Sequence, residues 1–273
     1  MAATYDPSNA PKNLEYVKYE KKGNVAYITI NRPEVRNALH TYTYHELRSI
    51  WQDMQRDPNV YCGILTGEGK AFCAGRDIKF LSTFQAQGVQ TPHEDPSNPA
   101  YHWGGGGMPF DSALDKPLIA AVNGFAVGVG LTLVMQSQLR VMADDAWLGD
   151  QHTVVGRLGS PQAKYKQMPQ ATAAFLTLCN GRLTADMAYS QGIVNKVVPV
   201  DQILAEAEKL AEMICAGSPL AVQAATKLYR ISNQDPALDE YARELDRKVA
   251  AMEDSKEGSR AFVEKRKPVW TLK

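Results

Sequence analysis

No sign of charge is in excess among the 273 residues: thirty lysines and arginines stand against thirty aspartates and glutamates. That balance excludes the basic surface field that gathers nucleic acid or anionic membranes, so neither is expected as a partner. Apolar runs stop short of the roughly 18 residues that a membrane helix requires. The opening "MAATYDPSNAPKNLEY" lacks the basic and apolar regions of a secretory signal and the Arg-rich pattern of a transit peptide. Residues 1–13 therefore read as a mobile tail. Cysteine is scarce as well, and Cys62, Cys73, Cys179 and Cys215 form neither C-x-x-C nor metal-ligand spacing. They read as reduced core thiols of a cytoplasmic protein.

Several chemical motifs are also missing. His40 and His45 do not make H-E-x-x-H, and no G-x-S-x-G nucleophile elbow occurs, so neither a metal nor a serine hydrolase is expected. "GVGLTL" lacks the third glycine of a dinucleotide cradle. "GEGK" at 67–70 resembles the end of a Walker loop, but Ile64 holds the place of its first glycine and no Ser or Thr follows Lys70.

What is present is the composition of a globular chain, 44% hydrophobic and 22% charged, long enough to bury a sizeable core. Residues 24–30, 61–67, 117–124, 139–144 and 193–200 read as strands, the third apolar throughout and so buried on both faces. Tyr42 to Arg56 has Leu47, Ile50 and Met54 at helical spacing, and 130–138 reads as a buried helix. Strand and helix in alternation predict an α/β core with crossover connections over residues 14–200. Residues 201–216, 220–232, 236–255 and 259–265 then read as helices, which sets a boundary near 200. Between strands, residues 82–114 are long, polar and rich in Pro and Gly, either a substrate-facing loop or an insertion.

Two glycine-containing turns follow buried strands, "AFCAGRDI" (71–78) and "NGFAVGVG" (123–130). With "NRPEVRNAL" (31–39), "KPLIAAVNG" (116–124) and "AFVEKRKP" (261–268), the chain resembles the enoyl-CoA hydratase/isomerase, or crotonase, superfamily from about residue 14 to 270. The resemblance implies a crotonase-like spiral of ββα units, a C-terminal helical trimerisation region over 201–273, and an acyl-CoA thioester substrate. A homotrimer or dimer of trimers is implied, with no cofactor beyond the CoA moiety of the substrate.

The resemblance also gives the glycine turns a purpose. The backbone N–H groups of Arg76 and Val129 match an oxyanion hole for the thioester oxygen; such fixed dipoles are worth about 3–4 kcal/mol per donor. Val129 replaces the glycine usual at its position. By the same resemblance Arg36, Ala74, Arg76, Ile78, Phe262 and Lys265 match the CoA contacts.

Both catalytic glutamates of the family's hydratases are absent. Thr132 occupies the first position and His152, within "LGDQH", the second. Thr132 cannot abstract a proton at neutral pH, whereas an imidazole can serve as acid and base there. If residues 147–152 are extended, alternation puts Leu148, Asp150 and His152 on one face, where Asp150 orients the imidazole. His40, Tyr42, His102 and Trp103 are further candidates to line the acyl pocket. The expected activity is hydratase or lyase chemistry on an enoyl- or aryl-acyl-CoA. A hydrolase of a thioester or β-keto bond and a non-catalytic CoA-binding protein remain as alternatives.

Overall fold

The computed structural model describes residues 5, 6, 8, 10–86, 108, 109, 112–159, 167–233 and 235–271. The chain runs through β1 (Val17–Lys22), β2 (Val25–Ile30), a 3-10 turn (Pro33–Val35), α1 (Thr41–Arg56), β3 (Cys62–Gly67), β4 (Ala71–Cys73) and α2 (Ile78–Ala86). It continues with β5 (Leu118–Val122), β6 (Phe125–Val127), α3 (Val129–Gln136), β7 (Leu139–Ala143), β8 (Trp147–Gly149) and a 3-10 turn (Thr153–Val155). Next come α4 (Gln170–Leu178), β9 (Leu183–Thr184), α5 (Ala185–Ser190) and β10 (Lys196–Val198). The helices α6 (Ile203–Cys215), α7 (Pro219–Ser232), α8 (Pro236–Ala250) and α9 (Glu253–Glu264) complete the order.

Among the described residues one sheet has the order β1-β2-β3-β5-β7-β10, parallel except for the β1–β2 hairpin. A smaller sheet has the order β4-β6-β8-β9, parallel except for β8–β9. In each of the pairs β3/β4, β5/β6 and β7/β8 the chain leaves the large sheet, adds a short strand to the small one, and proceeds to a helix. This is the spiral of ββα units that the motifs imply. The uninterrupted apolar run of β5 follows from its place: α6 packs on β3, β5 and β7, and α3 packs on β5, so all five residues of the strand are buried. Leu47, Ile50, Trp51 and Met54 of α1 enter the same core at the three- and four-residue spacing read from the sequence.

Some boundaries differ from the sequence reading. The last strand is only Lys196–Val198; Ile193 and Val194 are buried in a turn whose N–H groups both bond to the Ala188 carbonyl. The helix expected over 236–255 stops at Ala250, because Met252 is extended (φ −75°, ψ 150°) and restarts the chain as α9. The expectation of uniformly buried thiols fails at Cys179, which is exposed beyond the end of α4. Within the segment read as a tail, the Tyr5 hydroxyl bonds to Asp53 at 2.8 Å and accepts from Lys21 at 2.8 Å. Among the described residues, no helix is long and apolar enough to cross a membrane.

Candidate active site

Asn37 fixes the segment "NRPEVRNAL" through its own side chain. Its Oδ1 accepts from Arg32 N at 2.9 Å, and its Nδ2 donates to the carbonyls of Glu68 (2.9 Å) and Ala71 (2.7 Å). The Arg32 guanidinium, buried, donates to the Ala38 carbonyl and pairs with Asp77 at 3.1 Å. Asp77 in turn accepts from Phe80 N at 3.0 Å in the first turn of α2. Leu39 forms a parallel bridge across the turn, with Leu39 N donating to Gly75 O (2.7 Å) and Asp77 N to Leu39 O (2.9 Å). In that pattern the N–H of Arg76, between the bonded residues, points away from Leu39.

The second turn lies directly against the first. A methyl group on Gly75 (φ +93°) would sit 2.8 Å from the Val127 carbonyl oxygen and 3.8 Å from the Val129 nitrogen. Gly128 has φ +57° and ψ −113°, a backbone conformation for which glycine is suited. One on Gly130 would strike the Cys73 carbonyl oxygen at 2.3 Å, so α3 can begin flush against β4 only without a side chain there. Among the described residues, no acceptor takes the N–H of Arg76 or of Val129, the first residue of α3. First-turn N–H groups of a helix have no partner within the helix.

His152 reaches this place by a route different from the one alternation predicts. The strand ends at Gly149, Gln151 turns left-handed (φ +59°), and His152 is helical. The residues are therefore not an extended run with one common face. The irregular turn nevertheless sets His152 Nδ1 2.6 Å from Asp150 Oδ1, with the Asp150 side chain 2% exposed and the imidazole 22% exposed. Facing an ionised Asp150 carboxylate, which can only accept, Nδ1 would be the donor, and a neutral ring in that tautomer carries its lone pair on Nε2. A methyl group on Gly128 would lie 3.5 Å from His152 Cε1 and 3.7 Å from Nε2. The basic edge of the ring thus faces the turn that presents the Val129 N–H.

Thr132 is buried in α3, and its hydroxyl donates to the Gly128 carbonyl at 3.3 Å. His40 is the N-cap of α1: its Nδ1 accepts from Thr43 N at 3.2 Å and lies 2.7 Å from the Thr43 hydroxyl. Its ring centroid is 4.4 Å from Tyr16, 4.9 Å from Phe80 and 5.5 Å from Tyr42. Burial, with the Arg32 cation second, holds the His40 pKa below the usual imidazole value. Tyr42 is exposed at the rim of that cluster. His102 and Trp103 lie outside the described residues.

Of the residues matched to CoA, Arg36 is exposed and left-handed (φ +56°), and its carbonyl accepts from Ala74 N at 3.0 Å. Ala74, Arg76 and Ile78 are partly exposed along one turn. Phe262 and Lys265 lie at the end of α9, both exposed, Lys265 being its left-handed C-cap. Helix α9 packs on α2 and on the turn that follows His152. Sequence reasoning missed Arg32, Asn37 and Asp77, although all three stand inside quoted motifs. Asn and Asp at turns were the available signal, since their side chains bond to nearby backbone. Among the described residues, no group of three or more His, Cys, Asp or Glu could hold a metal ion.

Similarity to known proteins agrees with this fold. The profile of the enoyl-CoA hydratase/isomerase family matches residues 20–273. A probable mitochondrial enoyl-CoA hydratase from Dictyostelium discoideum is 34% identical over 280 residues, covering 98% of this chain and 96% of its own. An (E)-benzylidenesuccinyl-CoA hydratase from Thauera aromatica is 33% identical, covering 93% and 98%. The solved structure of a carnitinyl-CoA dehydratase from Mycobacterium avium 104 superposes with a TM-score of 0.82 at 33% identity, over 94% of this chain and 99% of that one. The chain belongs to the enoyl-CoA hydratase/isomerase family.

Proposed function

We propose that this protein adds water to, or removes it from, the double bond of an enoyl- or aryl-acyl-CoA through an enolate, with His152 as acid and base. The observation that carries the reading is the Asp150–His152 pair, 2.6 Å apart, with its ring edge at the Gly128 turn. The N–H groups of Arg76 and Val129, which no acceptor takes among the described residues, belong to the Gly75 and Gly128 turns that pack against each other. The hydratase and dehydratase names of the relatives support the same reaction class.

In the hydration direction, His152 Nε2 takes a proton from water as the water oxygen bonds to the β-carbon. The double-bond electrons move to the thioester oxygen, where the Arg76 and Val129 N–H groups stabilise the enolate. The imidazolium, steadied by Asp150, then returns that proton to the α-carbon, and the enolate electrons form the new C–H bond. One group that both removes and returns the proton replaces the paired acid and base. Arg36, Ala74, Arg76, Ile78, Phe262 and Lys265 are assigned to the CoA moiety, which is the only cofactor this reaction uses. His40, Tyr42, His102 and Trp103 remain assigned to the acyl pocket, and Thr132 adjoins it without transferring a proton.

A hydrolase is the second reading. It is favoured by the engagement of the Thr132 hydroxyl with Gly128, since hydrolysis needs only the single base that His152 offers. Incubating enoyl-, aryl- and β-keto-acyl-CoA esters in ¹⁸O-water separates the readings by mass. Label in a product still joined to CoA, without free CoA, is the expected result. Label in a released acid or an opened chain would establish the hydrolase, and no product from any ester would leave a CoA-binding protein. We further propose a homotrimer or dimer of trimers, supported by exposed Met213, Leu220, Leu228, Tyr229 and Tyr241 on α6, α7 and α8.

A further inference from the structure

His152 has no regular element to hold it, so the turn that follows must take its rigidity from elsewhere. Its own carbonyl is gripped by Val155 N and Arg157 N, both at 3.1 Å. On one side Gln151 Nε2 donates to Asn180 O at 2.8 Å, and Thr153 Oγ1 meets Thr177 O (3.0 Å) in the last turn of α4 and Asn180 Oδ1 (2.9 Å) just after it.

On the other side the contacts come from the C-terminal helices. Arg157 forms a two-pronged pair with Asp246 of α8, Nε to Oδ1 at 3.2 Å and Nη2 to Oδ2 at 2.6 Å. The same Oδ1 accepts Leu158 N at 3.1 Å, and Asp246 is buried. Such a carboxylate fixes both a side chain and the backbone behind it.

Backbone meets backbone beside this pair. A methyl group on Gly156 (φ +65°) would lie 2.8 Å from Ser255 Cα, and one on Gly258 would lie 2.6 Å from the Val155 carbonyl carbon. Helix α9 is therefore seated on the peptide groups of the His152 turn itself. The next residues along the chain cannot shift without opening the Arg157–Asp246 pair.

We propose that Asp246 and Gly258 are positioning residues for His152: the C-terminal helices clamp the turn and so hold the imidazole edge against Gly128. This rests on the reading of His152 as acid and base, which fixes the part of the proposal concerned with turnover. A displacement of about 1 Å of a catalytic group costs on the order of a hundredfold in rate.

The test uses the full-length protein with Asp246→Ala, Asp246→Asn and Gly258→Ala, read by NMR of the imidazole groups and by kinetics. His152 is one of five histidines and is assigned as the signal lost in His152→Gln. In the wild type its Nδ1–H is expected to be held and slow to exchange. Asp246→Ala should broaden or shift that signal and lower kcat about tenfold to a hundredfold, with KM within about threefold. Asp246→Asn, which keeps one oxygen for Leu158 N, should fall between. Gly258→Ala should reproduce the signature from the other helix, which guards against misfolding of any one variant. Wild-type imidazole signals in the Asp246 and Gly258 variants overturn the proposal whatever their turnover. A loss of turnover matched by an equal loss of CoA affinity also overturns it, as general damage. If His152→Ala itself keeps full turnover, the acid/base reading fails separately, and the imidazole signals alone decide whether the clamp exists.

Discussion

His152, Thr132 and His40 differ first in the proton that each side chain can hold. Replacing His152 by Ala should lower kcat about 10²–10⁴-fold while KM changes little, because the oxyanion donors and CoA contacts remain. Thr132→Val should be mild by comparison, since its hydroxyl is turned back to Gly128. His40 supplies a pH prediction of opposite character. Its folded pKa is lowered, so in acid the unfolded chain binds a proton that the folded chain resists. Stability should therefore fall as pH drops below the ordinary imidazole value of about 6.5. Protonation also removes the Nδ1 acceptor that caps α1. Denaturant titrations of His40→Asn, which can still cap the helix, should show a flatter acid limb than the wild type; an identical limb would remove His40 from the explanation.

Among the elements, the glycine turns tie fold to chemistry. Gly130→Ala forces a carbon to within 2.3 Å of the Cys73 carbonyl oxygen, so α3 must lift from β4. The expected cost is about 1–3 kcal/mol, read as a lower Tm, together with lower turnover as the Val129 N–H moves. Normal melting and normal turnover in that variant would separate the helix start from the site. Lys116, at the entry to β5, tests burial at the other end of the strand. It is buried, donates to the Asp57 carbonyl, and has its pKa lowered by desolvation to about 8. Between about pH 8 and 10.5 the unfolded chain then holds more protons, so this residue's contribution to stability rises with pH. The wild-type-minus-Lys116→Met difference in unfolding free energy should change by roughly 3 kcal/mol across that window. Differencing the two proteins cancels shared groups such as Cys73, whose thiol is pushed up to about 12 by burial.

The same elements show what a linear reading can reach. Strands β2, β3, β5 and β7 were legible because their runs of five or six residues are rich in apolar side chains. The small sheet was not, since its strands are two or three residues long and carry no detectable period. The linear reading puts the α8–α9 break at 256–258 rather than at 251–252, because neither glycine nor proline marks its true position. Asp150 and His152 could be paired by spacing, although the geometry that joins them is a left-handed residue rather than an extended strand. Arg32–Asp77 and Arg157–Asp246 lie 45 and 89 residues apart in sequence, beyond any local pattern.

For the molecule as a whole, the exposed apolar residues of α6–α8 are the surface on which the proposed trimer or dimer of trimers would be built. Light scattering coupled to size exclusion should give a trimer or hexamer mass. Charge introduced by Leu220→Glu with Leu228→Glu should shift it toward monomer, and an unchanged mass would place the contact elsewhere. The C-terminal end of α9 has its own acid sensitivity. Arg266 holds the Glu257 carboxylate well below the usual range, at about 2. The stability from this pair is present above the ordinary carboxylate pKa and is lost as pH falls toward 2.

On the proposed mechanism one imidazole, poised by Asp150, does the proton transfer of an acyl-CoA hydration while the Arg76 and Val129 N–H groups hold the enolate oxygen. The most direct test compares wild type with His152→Ala in ¹⁸O-water on the best enoyl-CoA substrate, with CoA affinity measured in parallel. Labelled oxygen is expected in a CoA-bound product, lost at least a hundredfold in the variant, with CoA affinity within about threefold of wild type. Turnover in His152→Ala equal to that of the wild type would contradict this mechanism.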